Sequence, residues 1–382
     1  MQTAARLPSA PFPAVPRGSR LLRLGHPFRL YRGGLLAGAE IAYETWGELN
    51  AARDNAVLLF TGLSPSAHAA SSARDPSPGW WEYMIGPGRP LDTRRFHVIC
   101  VNSLGSCFGS SGPASPHPQD GDAYRLRFPR IALEDVARAG IELIDALGIQ
   151  RLAAVVGPSM GGMSALAFML QAPQRSRALA LLCSTASASP HAIAMHALQR
   201  EMVLNDSAWA QGDYPLEAGP VNGMRLARKL GLSCYRSPGE WAQRFGRRRT
   251  ASIDAAGDAF GAEFEVESYL EHNAAKFAEG FDANCFLYLS RAMDDFDPAE
   301  HGGGDFQAAF ARLRLERALV VGVSSDTLFP VAEQRVLADA LKAGCDGAVQ
   351  FVELGSIQGH DAFLIDEARF APVMRAFFEK VV

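Results

Sequence analysis

Apolar residues fall along this chain in short unbroken runs, and stretches of helical spacing separate them. Ile41-Ala42-Tyr43-Glu44-Thr45-Trp46, Asn55-Ala56-Val57-Leu58-Leu59-Phe60, Phe96-His97-Val98-Ile99-Cys100-Val101 and Leu152-Ala153-Ala154-Val155-Val156-Gly157 read as strands. Runs that are apolar throughout, rather than alternating, suit strands covered on both faces. Between residues 130 and 148 the spacing turns helical, with Ile131, Val136, Ile141, Leu143, Ile144 and Leu147 along one side. It turns helical again from Gly161 onward. Strands alternating with helices in this way predict a mostly parallel, doubly wound α/β sheet flanked by helices.

Between about residues 186 and 305 the pattern breaks, because helical spacing continues with no buried strand. Strand character returns over 315–324; residues 330–343 read as a helix, 349–354 as a last strand, and 362–380 as a closing amphipathic helix. The organisation expected is one α/β core in two pieces, 31–185 and 306–382, with 186–305 inserted as a helical lid. Residues 1–30 carry Pro8, Pro11, Pro13 and Pro16 and no continuous apolar stretch, so they read as a flexible arm rather than a signal peptide.

Composition narrows the function classes. With 48% hydrophobic and 20% charged residues the chain can bury a large core, which excludes a mainly disordered protein. A net charge of −4 gives no global pull toward nucleic acid, and the one basic run, Arg247-Arg248-Arg249, reads as a solvated helix end. No run approaches the roughly 18 apolar residues that a membrane span requires. Six cysteines without a CxxC pair suit a reduced, cytoplasmic protein. There is no zinc spacing and no G-x-G-x-x-G after a first strand, so no metal or redox cofactor is expected.

Chemistry enters at Gly157-Pro158-Ser159-Met160-Gly161, a G-x-S-x-G motif between a strand and a helix. That context exposes a serine hydroxyl on a sharp turn, with the positive end of a helix dipole beside it. A serine needs a base to take its proton and a third group to hold that base. Asp326 and His360 both follow strands near the C-terminal end, in the chain order Ser, Asp, His that this arrangement uses. The other histidines fit less well: His68 lies in an upstream loop, His97 opens a strand, and His191, His196 and His272 fall in the insertion. His26, His117 and His301 lack strand-end context. Two oxyanion donors are expected, the backbone N–H groups of Met160 and of Leu63 in the loop after an early strand.

These segments together resemble the homoserine O-acyltransferase family. The resemblance rests on Ile41 to Asn50 (I-A-Y-E-T-W-G-E-L-N), Gly157-Pro158-Ser159-Met160-Gly161-Gly162-Met163, Phe281-Asp282-Ala283-Asn284, Ser325-Asp326-Thr327-Leu328-Phe329-Pro330 and Gly359-His360-Asp361-Ala362-Phe363-Leu364. It implies an α/β-hydrolase fold with a helical lid, a homodimer formed through that lid, and ping-pong transfer of an acyl group from acyl-CoA to the hydroxyl of an amino acid. It also implies that Arg228 holds the acceptor's carboxylate and Asp361 its amino group. No cofactor beyond the acyl-CoA co-substrate is implied.

Three departures bear on substrates. Thr61-Gly62-Leu63-Ser64-Pro65 stands where family members carry a His-Ala-Leu-Thr-like stretch. Gly62, Leu63, Ser64 and Pro65 resemble the serine O-succinyltransferase branch, in which this loop selects serine over homoserine. Gly280 replaces an arginine common before Phe281. Thr327-Leu328 replaces a Trp-Arg pair of succinyl-CoA-using homoserine enzymes and resembles acetyl-CoA users. The expected reaction is succinyl transfer from succinyl-CoA to L-serine for cysteine synthesis. Homoserine as acceptor and acetyl-CoA as donor are the alternatives; a plain esterase or thioesterase and a non-catalytic binding protein are less favoured, since water needs no zwitterion clamp and binding needs no triad.

Overall fold

In the computed structural model, which describes residues 14–250 and 261–381, eight strands hydrogen-bond into one sheet. They are β1 (Arg20–Arg23), β2 (Glu40–Trp46), β3 (Ala56–Phe60), β4 (His97–Val101), β5 (Leu152–Pro158), β6 (Ser176–Leu182), β7 (Arg317–Val323) and β8 (Val349–Leu354). Their spatial order is β1-β2-β4-β3-β5-β6-β7-β8. β2 pairs antiparallel with both β1 and β4, and every other pairing is parallel. The central strands are fully buried because helices cover both faces.

Helices α1 (Leu133–Ala146) and α2 (Met160–Gln171) pack on one face, where Leu143, Ile144, Leu166 and Phe168 meet Leu58 and Phe60. Between β6 and β7 run α3 (Pro190–Leu204), α4 (Val221–Tyr235), α5 (Pro238–Arg244), α6 (Glu265–Gly280) and α7 (Ala283–Asp295). α4 packs on α3 and α6, and α7 on α3. A short α8 (Phe306–Ala311) precedes β7, and α9 (Val331–Leu341) joins β7 to β8 on the α1 face. The chain ends in α10 (Ala362–Ile365) and α11 (Glu367–Phe378); Phe370, Met374 and Phe377 of α11 cover the opposite face with Trp81 and Met84. Among the described residues no helix is long and apolar enough to cross a membrane.

Three features differ from the sequence expectation. The arm assigned to 1–30 is only partly an arm. Residues 1–13 lie outside the described residues, but Arg20–Arg23 forms an edge strand on β2, and Phe28–Arg29 pairs with Leu35–Leu36. An edge strand with arginine at both ends carries little of the apolar signal that marks a central one. β6 was not singled out, since Ser176-Arg177 at its start dilutes the run. The closing helix is two helices, broken at Asp366, whose carboxylate accepts a hydrogen bond from Ser356 Oγ at 2.6 Å.

Candidate active site

The turn from β5 into α2 forces Ser159 into a conformation that L-residues avoid, with φ +55°. Two glycines make the turn possible by close approach. A Cβ on Gly157 would stand 2.0 Å from the Gly161 carbonyl oxygen, and one on Gly161 would stand 2.4 Å from that of Phe60. Ser184 Oγ donates to the Ser159 carbonyl at 2.8 Å and pins the turn to the segment after β6. The hydroxyl of Ser159 is thereby held out at the C-terminal edge of the sheet.

His360 Nε2 lies 2.8 Å from Ser159 Oγ, and His360 Nδ1 lies 2.8 Å from Asp326 Oδ2. A carboxylate only accepts, so Nδ1 carries the proton and Nε2 faces the serine as a base. The other oxygen of Asp326 accepts from the backbone N–H groups of Leu328 (3.0 Å) and Phe329 (2.9 Å), which fixes its plane. Burial works against a charged His360 ring, but the adjacent Asp326 carboxylate outweighs it and lifts the ring's pKa above its ordinary value. Ser325 ties the two loops together, donating to the Ser356 carbonyl at 2.6 Å and accepting from the Gly359 N–H at 3.0 Å. The structure therefore brings Ser159, Asp326 and His360 into one hydrogen-bonded chain.

Beside Ser159 is a cavity of about 110 Å³ lined from two sources. The core contributes Gly62, Leu63, Ser64, Pro65, Asp361 and Phe363; the helices between β6 and β7 contribute His196, Gln199, Arg228, Tyr235, Phe286 and Ser290. A Cβ on Gly62 would stand 3.9 Å from Ser159 Cβ, so the loop after β3 passes directly against the nucleophile. Met160 opens α2, where the first N–H groups have no partner within the helix. Leu63 and Met160 thus flank the serine hydroxyl from two sides.

Arg228 stacks its guanidinium over Phe277 (4.6 Å) and Tyr235 (5.7 Å), and its buried Nε has no hydrogen-bond partner. Among the described residues no carboxylate pairs with it, so it is a half-buried cation open to an anion. Asp361 starts α10 but makes no side-chain cap bond; its carboxylate instead lies 3.3 Å from Arg236 Nε. The site therefore presents a cation and an anion close to Tyr235, near the triad.

Three participants escaped the sequence reading. Arg236 backs Asp361, yet it sits among exposed-looking charges just past α4. Gln199 lines the cavity and donates to the Ala227 carbonyl at 3.0 Å, locking α3 to α4. His68 anchors the loop that carries Gly62 to Pro65: its Nδ1 meets Glu44 Oε2 at 3.0 Å and its Nε2 meets the Ser77 carbonyl at 2.9 Å. Both partners are acceptors, an arrangement that favours a charged ring. Burial opposes this charge, but hydrogen bonds to Glu44 and Ser77 and the nearby Glu44 and Asp75 carboxylates outweigh it and raise its pKa. The alternating pattern of β2 gave no sign that Glu44 points inward, where it is 2% exposed.

Comparison with known proteins agrees with this architecture. The family description for the alpha/beta hydrolase fold matches residues 55–364. A serine O-succinyltransferase of Litchfieldella anticariensis is 55% identical over 364 residues, covering 95% of this chain and 99% of that protein. An L-serine/homoserine O-acetyltransferase of Streptomyces lavendulae is 54% identical over 367 residues, covering 95% and 98%. The crystal structure of a homoserine O-acetyltransferase from Bacillus anthracis superposes with a TM-score of 0.85 at 27% identity, covering 95% of this chain and 98% of that one. Likeness of this extent over nearly the whole length places the chain in the α/β-hydrolase fold family and, within it, in the homoserine O-acyltransferase family.

Proposed function

We propose that the protein transfers a succinyl group from succinyl-CoA to the hydroxyl of L-serine, through an acyl-enzyme on Ser159, giving O-succinyl-L-serine for cysteine synthesis. The observation that carries this reading is the shared cavity, where a complete Ser159–His360–Asp326 chain faces a half-buried cation without a carboxylate partner, Arg228, and an anion, Asp361. A hydrolase needs only the first set. An amino-acid zwitterion needs the second.

In the first half-reaction His360 Nε2 takes the Ser159 proton as Oγ attacks the thioester carbonyl carbon. The N–H groups of Leu63 and Met160 hold the oxyanion. The carbon–sulfur bond breaks, and the CoA thiolate leaves with the proton from His360. In the second half the acceptor hydroxyl gives its proton to His360 and attacks the acyl carbon. Ser159 Oγ leaves and recovers that proton. Asp326 keeps the imidazole in the required tautomer and stabilises its charge in both halves. Arg228 and Asp361 hold the acceptor's carboxylate and ammonium, and Gly62 to Pro65 shape the room for its hydroxyl. No step calls on a resident cofactor.

Identity of the Litchfieldella relative favours succinyl-CoA and serine, and the resemblance of Gly62 to Pro65 supports the same branch. The Streptomyces relative, with Thr327-Leu328 beside Asp326, favours a second reading with acetyl-CoA as donor and serine or homoserine as acceptor. Steady-state kinetics for serine and homoserine against succinyl-CoA and acetyl-CoA decides. Highest kcat/KM for serine with succinyl-CoA is the expected result. Preference for homoserine would move the protein to methionine synthesis, and CoA release at full rate without any amino acid would make it a thioesterase.

Two further assignments belong to this reading. Leu198, Leu204, Val221 and Leu226 leave an exposed apolar stripe on α3 and α4, which supports a homodimer through these helices. Sedimentation of the intact chain as a monomer would remove it. Six cysteines as free thiols support action in the cytoplasm.

A further inference from the structure

The acceptor clamp accounts for Arg228 and Asp361, and the triad accounts for His360. Among the described residues lining the cavity this leaves one nitrogen base unassigned, His196 on α3. It is 3% exposed, and its Nδ1 lies 2.7 Å from Asp294 Oδ1. The carboxylate only accepts, so Nδ1 donates and Nε2 is the free edge of the ring. Among the described residues nothing hydrogen-bonds Nε2.

The surroundings of His196 are built for an anion. Asp294 is itself buried and lies 2.7 Å from Arg200 Nη1 as an ion pair, while Arg200 donates to Ser290 Oγ at 2.8 Å. Arg200 offsets the charge of Asp294. The pair therefore leaves no net negative charge behind the ring, and the neighbouring Ser290 lines the same wall. This wall belongs to α3 and α7, whereas the acceptor clamp belongs to the middle of α4 and to the loop of His360.

We infer that His196, oriented by Asp294 and Arg200, binds the distal carboxylate of a dicarboxylic acyl donor and so sets the preference for succinyl-CoA over acetyl-CoA. This inference rests on the acyltransfer reading above and names the residue that reads the far end of its donor. A donor without a distal carboxylate leaves Nε2 empty, and one with it completes a charge-assisted hydrogen bond.

The experiment compares wild type, His196→Leu and His196→Gln with succinyl-CoA and with acetyl-CoA, serine being held saturating. The ratio of kcat/KM for succinyl-CoA to that for acetyl-CoA should fall by about 10–100-fold in His196→Leu, the size of one lost charge-assisted hydrogen bond. His196→Gln keeps an N–H donor at similar reach without the charge, and its ratio should fall between the two. Equal loss with both donors in His196→Leu, or an unchanged ratio, overturns the assignment, and the Gln variant separates a folding defect from a binding one. Failure of the underlying reading shows instead in wild type alone: no turnover with succinyl-CoA, whatever the variants do, removes the donor and this inference with it.

Discussion

At the strand ends Ser159, Asp326 and His360 stand where backbone geometry puts them, whereas Arg228, Gln199 and His196 reach the same cavity from helices α3 and α4. The first group is fixed by features with a short sequence signature. A positive-φ turn needs Gly157 and Gly161 around Ser159, and loops after parallel strands need little else. The second group depends on how five helices stack over the sheet edge, which no local spacing specifies. The core half supplies the chemistry common to hydrolases and transferases. The helical half adds Arg228, Gln199 and His196 to the cavity wall beside that chemistry.

The sharpest way to test that division is to remove the nucleophile. Ser159→Ala should abolish acyl transfer and the acylated enzyme together, by at least about 10⁴-fold as in other triads. Intact-mass detection of an acyl group on that variant would take the role away from Ser159. Asp326→Asn should come next, with a loss of roughly 10³–10⁴-fold at neutral pH. The raised pKa of His360 gives it a second signature. Catalysis needs the neutral ring, so activity should rise with pH through a value above the ordinary 6.5 or so of histidine. In Asp326→Asn the acid limb should move down, and a limb that stays in place would show that His360 is not the titrating base.

Variants around the substrate, at helical Arg228 and in the core loops of Asp361 and Gly62 to Pro65, should behave differently. Arg228→Ala and Asp361→Ala should weaken use of the amino acid by about 10²-fold, each removing a charged hydrogen bond, while acylation of Ser159 remains measurable. Equal loss in both half-reactions would make these two residues structural and dissolve the contrast. Replacing Gly62 to Pro65 with His-Ala-Leu-Thr should shift the serine-to-homoserine ratio by about 10–200-fold, the range that one methylene allows.

The smallest effect concerns stability. His68 has a raised pKa in the folded protein, so its contribution is fully present below the unfolded value near 6.5 or so and is lost as pH climbs through the folded value. The melting temperature of wild type should therefore fall more steeply as pH rises above about 6.5 than that of Glu44→Gln. Parallel curves would show that Glu44 and His68 are not an ion pair in solution.

How far the sequence could be read follows the same division. Unbroken apolar runs such as Leu152 to Val156 announced the central strands, since strands covered on both faces cannot hide their composition. Arg20–Arg23 escaped because an edge strand needs only one covered face. Ser159, Asp326 and His360 were legible from motif and chain order alone. Arg228 and Asp361 were legible only through family resemblance, and nothing in their neighbourhoods said that Tyr235 would lie close to both. Arg236 and His196 were illegible, because pairing across 125 residues to Asp361, or across 98 to Asp294, is decided by packing.

One contact bears on how such proteins diversify. A Cβ on Gly359 would stand 2.5 Å from the carbonyl oxygen of Tyr235, and Ser237 Oγ donates to the Ile357 carbonyl. The last turn of α4 is thus stitched to the very loop that presents His360. Exchange of the inserted helices between two relatives, as a swapped cassette, cannot treat the junction as a neutral seam. Residues 235–237 and 357–360 have to travel together, or a new specificity arrives with a misaligned base.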